Sequence, residues 1–160
     1  MRVPLFKERP TLRPPRGGSA RRVLVILSPT QADVASVRTL WRRLRPLGVE
    51  LDVATECHGE VQAEHGRPLR PNLLLIGAAA RDWDAVIVGD GRGALAVAED
   101  ELARQIVVRA VARGKPVAGL GVGRCLFDRA RVAGFSSQNC DLVFRWLRDQ
   151  LGGSWEKRDR

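Results

Sequence analysis

RRVLVILSPTQADVASVRTLWRRLRPLGVELDVAT, residues 21–55, decides the fold. Within it, VLVIL (residues 23–27) is a short unbroken apolar run, which marks a strand buried on both faces, as in a parallel sheet. The next segment, Gln31 to Leu47, places Val34, Val37, Leu40, Trp41 and Leu44 at helical spacing. Arg38, Arg42, Arg43 and Arg45 fall largely off that stripe, and Gly48 is a stop signal. VELDVAT (residues 49–55) then alternates as a strand. Strand, helix, strand in this order is one βαβ unit.

Working outward, residues 56–80 are punctuated by glycine and proline and read as a hairpin-like arm ending near LLLIG. Trp83-Asp84 leads into AVIVG (85–89), a second buried strand, and Glu99 to Arg113 reads as a helix with Leu102, Ile106, Val107 and Ala110 inward. Gly114-Lys115-Pro116 ends it and launches the strand PVAGL (116–120). A GVG turn opens a helix over about residues 124–132, and Asp141 to Leu151 forms an amphipathic helix. Alternating strands and helices predict an α/β fold with a mainly parallel sheet.

The chain of 160 residues is one domain's worth and long enough to bury a core without disulfides. A hydrophobic share of 44% excludes a wholly disordered chain, and no apolar run approaches the ~20 residues of a membrane span. Lys+Arg number 27 against 18 Asp+Glu, a formal charge of +9, and all but Lys7, Lys115 and Lys157 of the basic residues are arginine. Residues 1–22 hold seven of them against Glu8 alone, a net of +6, so the rest carries only +3. Prolines at 4, 10, 14 and 15 with Gly17-Gly18 predict an extended, disordered basic arm over 1–20. The domain is expected over 21–152, with a frayed tail over 153–160. A basic arm steers toward nucleic acid or an acidic surface. With only Phe6 to stack on a base, that reading ranks below a solvated leader.

Cys57, Cys125 and Cys140 are too few and too scattered for a secreted disulfide framework, and point to a reducing, cytoplasmic setting. The N-terminal segment lacks the 7–15-residue apolar core of a secretory signal. Cys57-His58 with His65 do not supply the four spaced ligands of a zinc site, so no metal is expected. Gly89-x-Gly91-x-Gly93 and Gly119-x-Gly121-x-Gly123 each follow a strand. Neither is a dinucleotide G-x-G-x-x-G, the first βα turn SPTQAD has no glycine, and no cofactor is expected.

Taken in order, these segments resemble the ThiJ/PfpI family, the Parkinsonism-associated deglycase family of the class I glutamine amidotransferase-like superfamily, and the resemblance implies a flavodoxin-like three-layer α/β/α sandwich. Residues 22–55 look like its opening βαβ unit, WDAVIVGDG like its strand and "PGG" turn, GKPVAGLGVGRCLFDRARVAG like its elbow, and FSSQNCDLVFRWLRDQL like its closing strand and helix. The strand–helix unit that separates the elbow helix from that ending has no obvious counterpart: either the member is compact, or the last match falls on a different segment. The resemblance implies chemistry at a strand-to-helix elbow reading A-x-C-[HAG]-G, whose strained turn and helix N-terminus activate a thiol. Here the nucleophile position is Gly121 and the next is Val122; the acidic partner position on the first helix is Ala35. The oxyanion turn is Gly89-Asp90-Gly91, and a carboxylate there opposes developing negative charge.

These departures imply a non-catalytic member that binds, scaffolds or regulates, as a homodimer like other family members. Asp33, Asp90, Gly91, Gly121, Val122 and Arg124 are expected to line a pocket for a small polar or anionic ligand. The alternative is a cysteine-dependent enzyme of deglycase, glyoxalase, amidase or peptidase type, in which Cys125, one helical turn past the elbow, replaces the missing nucleophile. Against it, Cys125 shares a face with Leu126 and Ala130, the pattern of a structural cysteine. Ser136-Ser137 have no paired base and rank lower still.

Overall fold

A computed structural model describes residues 21–152; the expected basic arm (1–20) and frayed tail (153–160) lie outside the described residues. Six strands form one sheet: β1 (Arg21–Ile26), β2 (Val49–Thr55), β3 (Leu73–Leu74), β4 (Ala85–Val88), β5 (Val117–Leu120) and β6 (Phe135–Ser137). Their spatial order is β3-β2-β1-β4-β5-β6, and every pairing is parallel. Parallel neighbours need crossovers; among the described residues α1 (Val34–Leu44), α2 (Leu75–Ala79), α3 (Ala94–Ala98), α4 (Glu101–Ala112) and α5 (Cys125–Ala130) lie in them, the β2–β3 connection is the non-helical arm, and α6 (Cys140–Gln150) follows β6. The chain winds outward in both directions from β1 and β4. A crevice therefore opens between them at the carboxyl ends of the strands, the place where open α/β sheets bind ligands.

Strand alternation divides the core in two. Val23, Val25, Leu51, Val53, Ala85, Ile87 and Leu120 face one side and pack on Val37, Leu40 and Leu44 of α1 and on Val143, Phe144 and Leu147 of α6. Leu24, Ile26, Ala54, Val86, Val88 and Val117 face the other and pack on α2 to α5 through residues such as Ala78, Ile106, Val107 and Leu126. The result is the expected flavodoxin-like α/β/α sandwich. Both faces of β1 and β4 are buried, which is why they read as continuous apolar runs. Asp33, Asp100 and Asn139 cap α1, α4 and α6, their side-chain oxygens accepting N–H bonds of the first turn.

The structure corrects the reading of residues 73–80. LLLIG is no arm end but the two-residue edge strand β3 followed at once by α2. The arm proper is shorter and is pinned by one antiparallel bridge, Val61 to Leu69, both fully buried. Arg38 on α1 clamps it from outside, donating to the carbonyls of Arg67 (3.1 Å) and Pro68 (2.8 Å). At its far end Asn72 accepts the Val53 N–H at 2.7 Å and donates to the buried Asp52. A second addition is α3, which the sequence reading passed over. The elbow helix is also shorter than expected: Gly121–Arg124 turn as a 3-10 segment before α5 begins at Cys125. From α5 the chain passes directly to β6, with only residues 131–134 between them.

Candidate functional site

Three strand ends build the crevice. After β1, Pro29 to Asp33 cross over to α1 with Gln31 at φ 52°, an unusual conformation for a side-chain-bearing residue. The loop is held by a short backbone ladder to the arm. Ala32 donates to Gln62 (3.2 Å), Gln62 to Pro29 (2.9 Å) and Glu64 to Ala32 (3.0 Å). That ladder carries Glu64 and His65 to the rim. After β4, Asp90, Gly91 and Arg92 form the opposite wall, joined to the first by the Asp33 N–H on the Asp90 carbonyl (3.0 Å). The Glu64 carboxylate accepts the Arg92 N–H at 2.6 Å and closes the rim. Gly91, at φ 113°, lies so close to the first loop that a Cβ would sit 2.2 Å from the Gln31 carbonyl oxygen, so only glycine fits.

The cleft so formed holds about 430 Å³ and is lined by Ala32, Asp33, Ala35, Glu64, His65, Asp90, Gly91, Arg92 and Val122. Its polar groups are largely engaged. The Asp33 carboxylate takes the Ser36 N–H (3.2 Å) and hydroxyl (2.6 Å). At the base, a single oxygen of Asp90, Oδ1, accepts two backbone N–H bonds, from its neighbour Gly91 (2.7 Å) and from Val122 past β5 (2.8 Å). Two converging backbone donors make an anion cradle. Its occupant is the protein's own carboxylate.

Gly121 explains how that carboxylate fits. It leaves β5 at φ 51°, and a Cβ there would lie 2.3 to 2.5 Å from the Asp90 carboxyl atoms. The space a side chain at 121 would take is filled by Asp90. Behind the turn, Gly123 lies buried with room for no Cβ, 2.4 Å from the Val88 carbonyl oxygen. This keeps the turn tight against β4.

Of the residues expected in the pocket, the fold brings Asp33, Asp90, Gly91 and Val122 together in the cleft. Gly121 stands behind Asp90 rather than on the wall, and Arg124 is exposed outside it. Ala35, the expected acidic position, does line the cleft. Glu64, His65 and Arg92 are the additions. The arm brings the first two in, and no local sequence signal marks where an arm will fold back.

The cysteines stand apart. Cys57 is exposed, and Cys125 and Cys140 are partly buried. Cys125 packs among the α4–α5 apolar side chains of the second core, and none of the three lines the cleft. The Cys140 thiol lies 3.5 Å from the Ser36 carbonyl oxygen; burial first, then the Asp141 charge, push its pKa up to about 11. Among the described residues no group of three or more His, Cys, Asp or Glu side chains is placed to hold a metal ion. No helix of these residues is long and apolar enough to cross a membrane.

Comparison with known proteins places this architecture. The family model described as the DJ-1/PfpI family matches residues 21–140. Among solved structures, a ThiJ/PfpI domain protein from Brachyspira murdochii superposes with a TM-score of 0.67 at 19% identity, over 84% of this chain and 78% of that one. Drosophila melanogaster DJ-1beta superposes with a TM-score of 0.66 at 22% identity, over 72% of this chain and 62% of its own length, less than two thirds of it. Oxidized Toxoplasma gondii DJ-1 gives 0.66 at 15% identity, over 84% and 95%. At these identities the structures speak to the fold alone. No curated protein matches the chain.

Proposed function

The chain belongs to the DJ-1/PfpI family, and from that premise we propose that this member is non-catalytic, a binding or regulatory domain. The observation that carries the reading is the Asp90 carboxylate on the Gly91 and Val122 N–H groups, beside a Gly121 that has no side chain. Acyl-transfer chemistry at such a turn needs a nucleophile at its apex and two N–H donors free for the oxyanion. Here the apex offers no nucleophile, and an anion already holds the donors.

What remains is the cleft. With Asp33, Glu64 and Asp90 on its walls against His65 and Arg92, it favours a small polar ligand without net negative charge. An anionic ligand would first have to displace Asp90. In this reading the protein works in the cytoplasm as a homodimer. Light scattering on a sizing column tests the dimer directly, and a mass of 17.6 kDa in solution refutes it.

The catalytic alternative rests on Cys125, and kinetics separate the two. The purified chain is assayed against glyoxal-type carbonyls, glycated amines and small amides, beside Cys125→Ser. No turnover above that of the variant is expected, and an iodoacetamide probe at pH 7 should label Cys125 no faster than exposed Cys57. Turnover that Cys125→Ser abolishes overturns the proposal.

A further inference from the structure

A cluster of arginines on the outer side of α1 has no acid to answer it. Arg38 and Arg42 stand one helical turn apart on the same side of that helix, and Arg67 belongs to the arm folded against it. The clamp already described fixes their neighbourhood. Arg38 is half-buried, and its terminal nitrogens donate to the Arg67 and Pro68 carbonyls at 3.1 and 2.8 Å, which holds the base of Arg67 beside α1. Those bonds use two of the five N–H donors of the Arg38 guanidinium. Arg42 and Arg67 are exposed.

Among the described residues none of the three forms an ion pair, whereas Arg43, next to Arg42, is paired with Asp141. Glu64, three positions before Arg67, is turned to the cleft rim, where it holds the Arg92 N–H. Burial first, and then the charges of Arg42 and Arg67, push the Arg38 pKa below its ordinary value, so the three guanidinium groups act on one another. The partial negative end of α1 offsets about half a charge near Arg42, and most of the +3 remains. The arm leaves room beside them: a Cβ built on Gly66 would meet nothing within 4 Å.

We propose that Arg38, Arg42 and Arg67 bind the phosphate group of a small phosphomonoester. Three like charges held together repel, and a dianion placed among them turns that repulsion into attraction. A phosphomonoester carries a charge of about −1.5 to −2 at neutral pH on three strong acceptor oxygens. Planar guanidinium forks bond such oxygens in pairs. A carboxylate brings a single charge and two oxygens, and leaves the cluster in excess. Two arginines on one helical turn and a third on the arm also match one phosphate better than the long row of charges on a polyanion. Because Arg42 and Arg67 are exposed, screening keeps the affinity modest, at about 1 mM.

The test is nitrogen-15 NMR of the full chain titrated at pH 7 with O-phosphoserine, and with serine at equal ionic strength. The Nε–H signals of Arg38, Arg42 and Arg67 and the amides of Gly66 and Arg67 should shift together and saturate near 1 mM, to about a factor of three. Inorganic phosphate should displace the probe, and serine should move none of these signals. Arg42→Gln with Arg67→Gln should weaken binding by about tenfold or more. Arg81→Gln with Arg145→Gln, which removes the same charge from exposed sites elsewhere, should change it by less than about twofold. Arg38 carries the clamp and is left intact. Melting curves accompany each variant, and Arg42→Gln and Arg67→Gln measured singly stand in if the pair melts early. Equal effects of the two double variants overturn the proposal, as do equal shifts with serine. Shifts spread alike over the exposed arginines, or a response that never saturates, overturn it too.

Discussion

Asp90→Ala tests the self-filled cradle most directly. The substitution removes one oxygen that accepts two backbone N–H bonds, at 2.7 and 2.8 Å. A hydrogen bond to a charged group contributes about 1.5–3 kcal/mol. Asp90 is half-buried at the floor of an open cleft, so water reaches the orphaned N–H groups and recovers much of that. A net loss of about 1–3 kcal/mol is expected, a fall of several degrees in melting temperature for a domain of this size. The second half of the prediction is more specific. With its occupant gone, the cradle is open to a small carboxylate, and binding to the folded state alone stabilises by RT ln(1 + [L]/Kd), about 2.7 kcal/mol at a hundred times Kd. Scanning calorimetry of Asp90→Ala in acetate or formate, against chloride at equal ionic strength, should show the melting temperature climbing back with carboxylate. The wild-type protein should not respond. An Asp90→Ala protein as stable as wild type and indifferent to carboxylate would refute the reasoning.

At Gly121, an added methyl meets both a left-handed backbone and the Asp90 carboxyl atoms 2.3 Å away. Gly121→Ala should cost about 2–4 kcal/mol by chemical denaturation, and less in an Asp90→Ala background, a coupling of 1 kcal/mol or more. Arg38→Ala removes both clamps on the arm. Hydrogen exchange of residues 56–72 should quicken while global stability falls by no more than ~1–2 kcal/mol. The Cys140 pKa of about 11 lies above the usual value of 9.0, so the folded state holds its proton where the unfolded chain has lost it. That contribution to stability is complete below about pH 9 and drains away toward pH 11, and Cys140→Ser should flatten the pH dependence there. At neutral pH, Cys140 should react with a thiol probe far more slowly than exposed Cys57.

The strands β1, β4 and β5 were legible because burial on both faces leaves only apolar residues to write them with, and α1, α4 and α6 because one buried stripe imposes a helical period. α2 and α3, five residues each, were not. LLLIGAAA and ALAVA are apolar throughout, and a run that short has no period to read. In the site, Asp90 and Gly121 could each be picked out as odd residues for their turns. Their contact could not, because it depends on how β4 and β5 lie side by side, 31 positions apart in the chain. Glu64 and His65 were beyond reach for the same reason, since the backbone ladder from Pro29 to Glu64 leaves no mark on side-chain pattern.

The meeting of Asp90 with the bare Gly121 also sets a direction for change. A cysteine arriving at 121 while Asp90 is present has to push the Asp90 carboxyl aside and hold a left-handed backbone, so that single step is disfavoured before any question of activity arises. Moving or replacing the acid gives up its two backbone N–H bonds and so costs stability without supplying a nucleophile. The acid at 90 and a side chain at 121 thus compete for one space, and a change at either position alone carries a cost in stability.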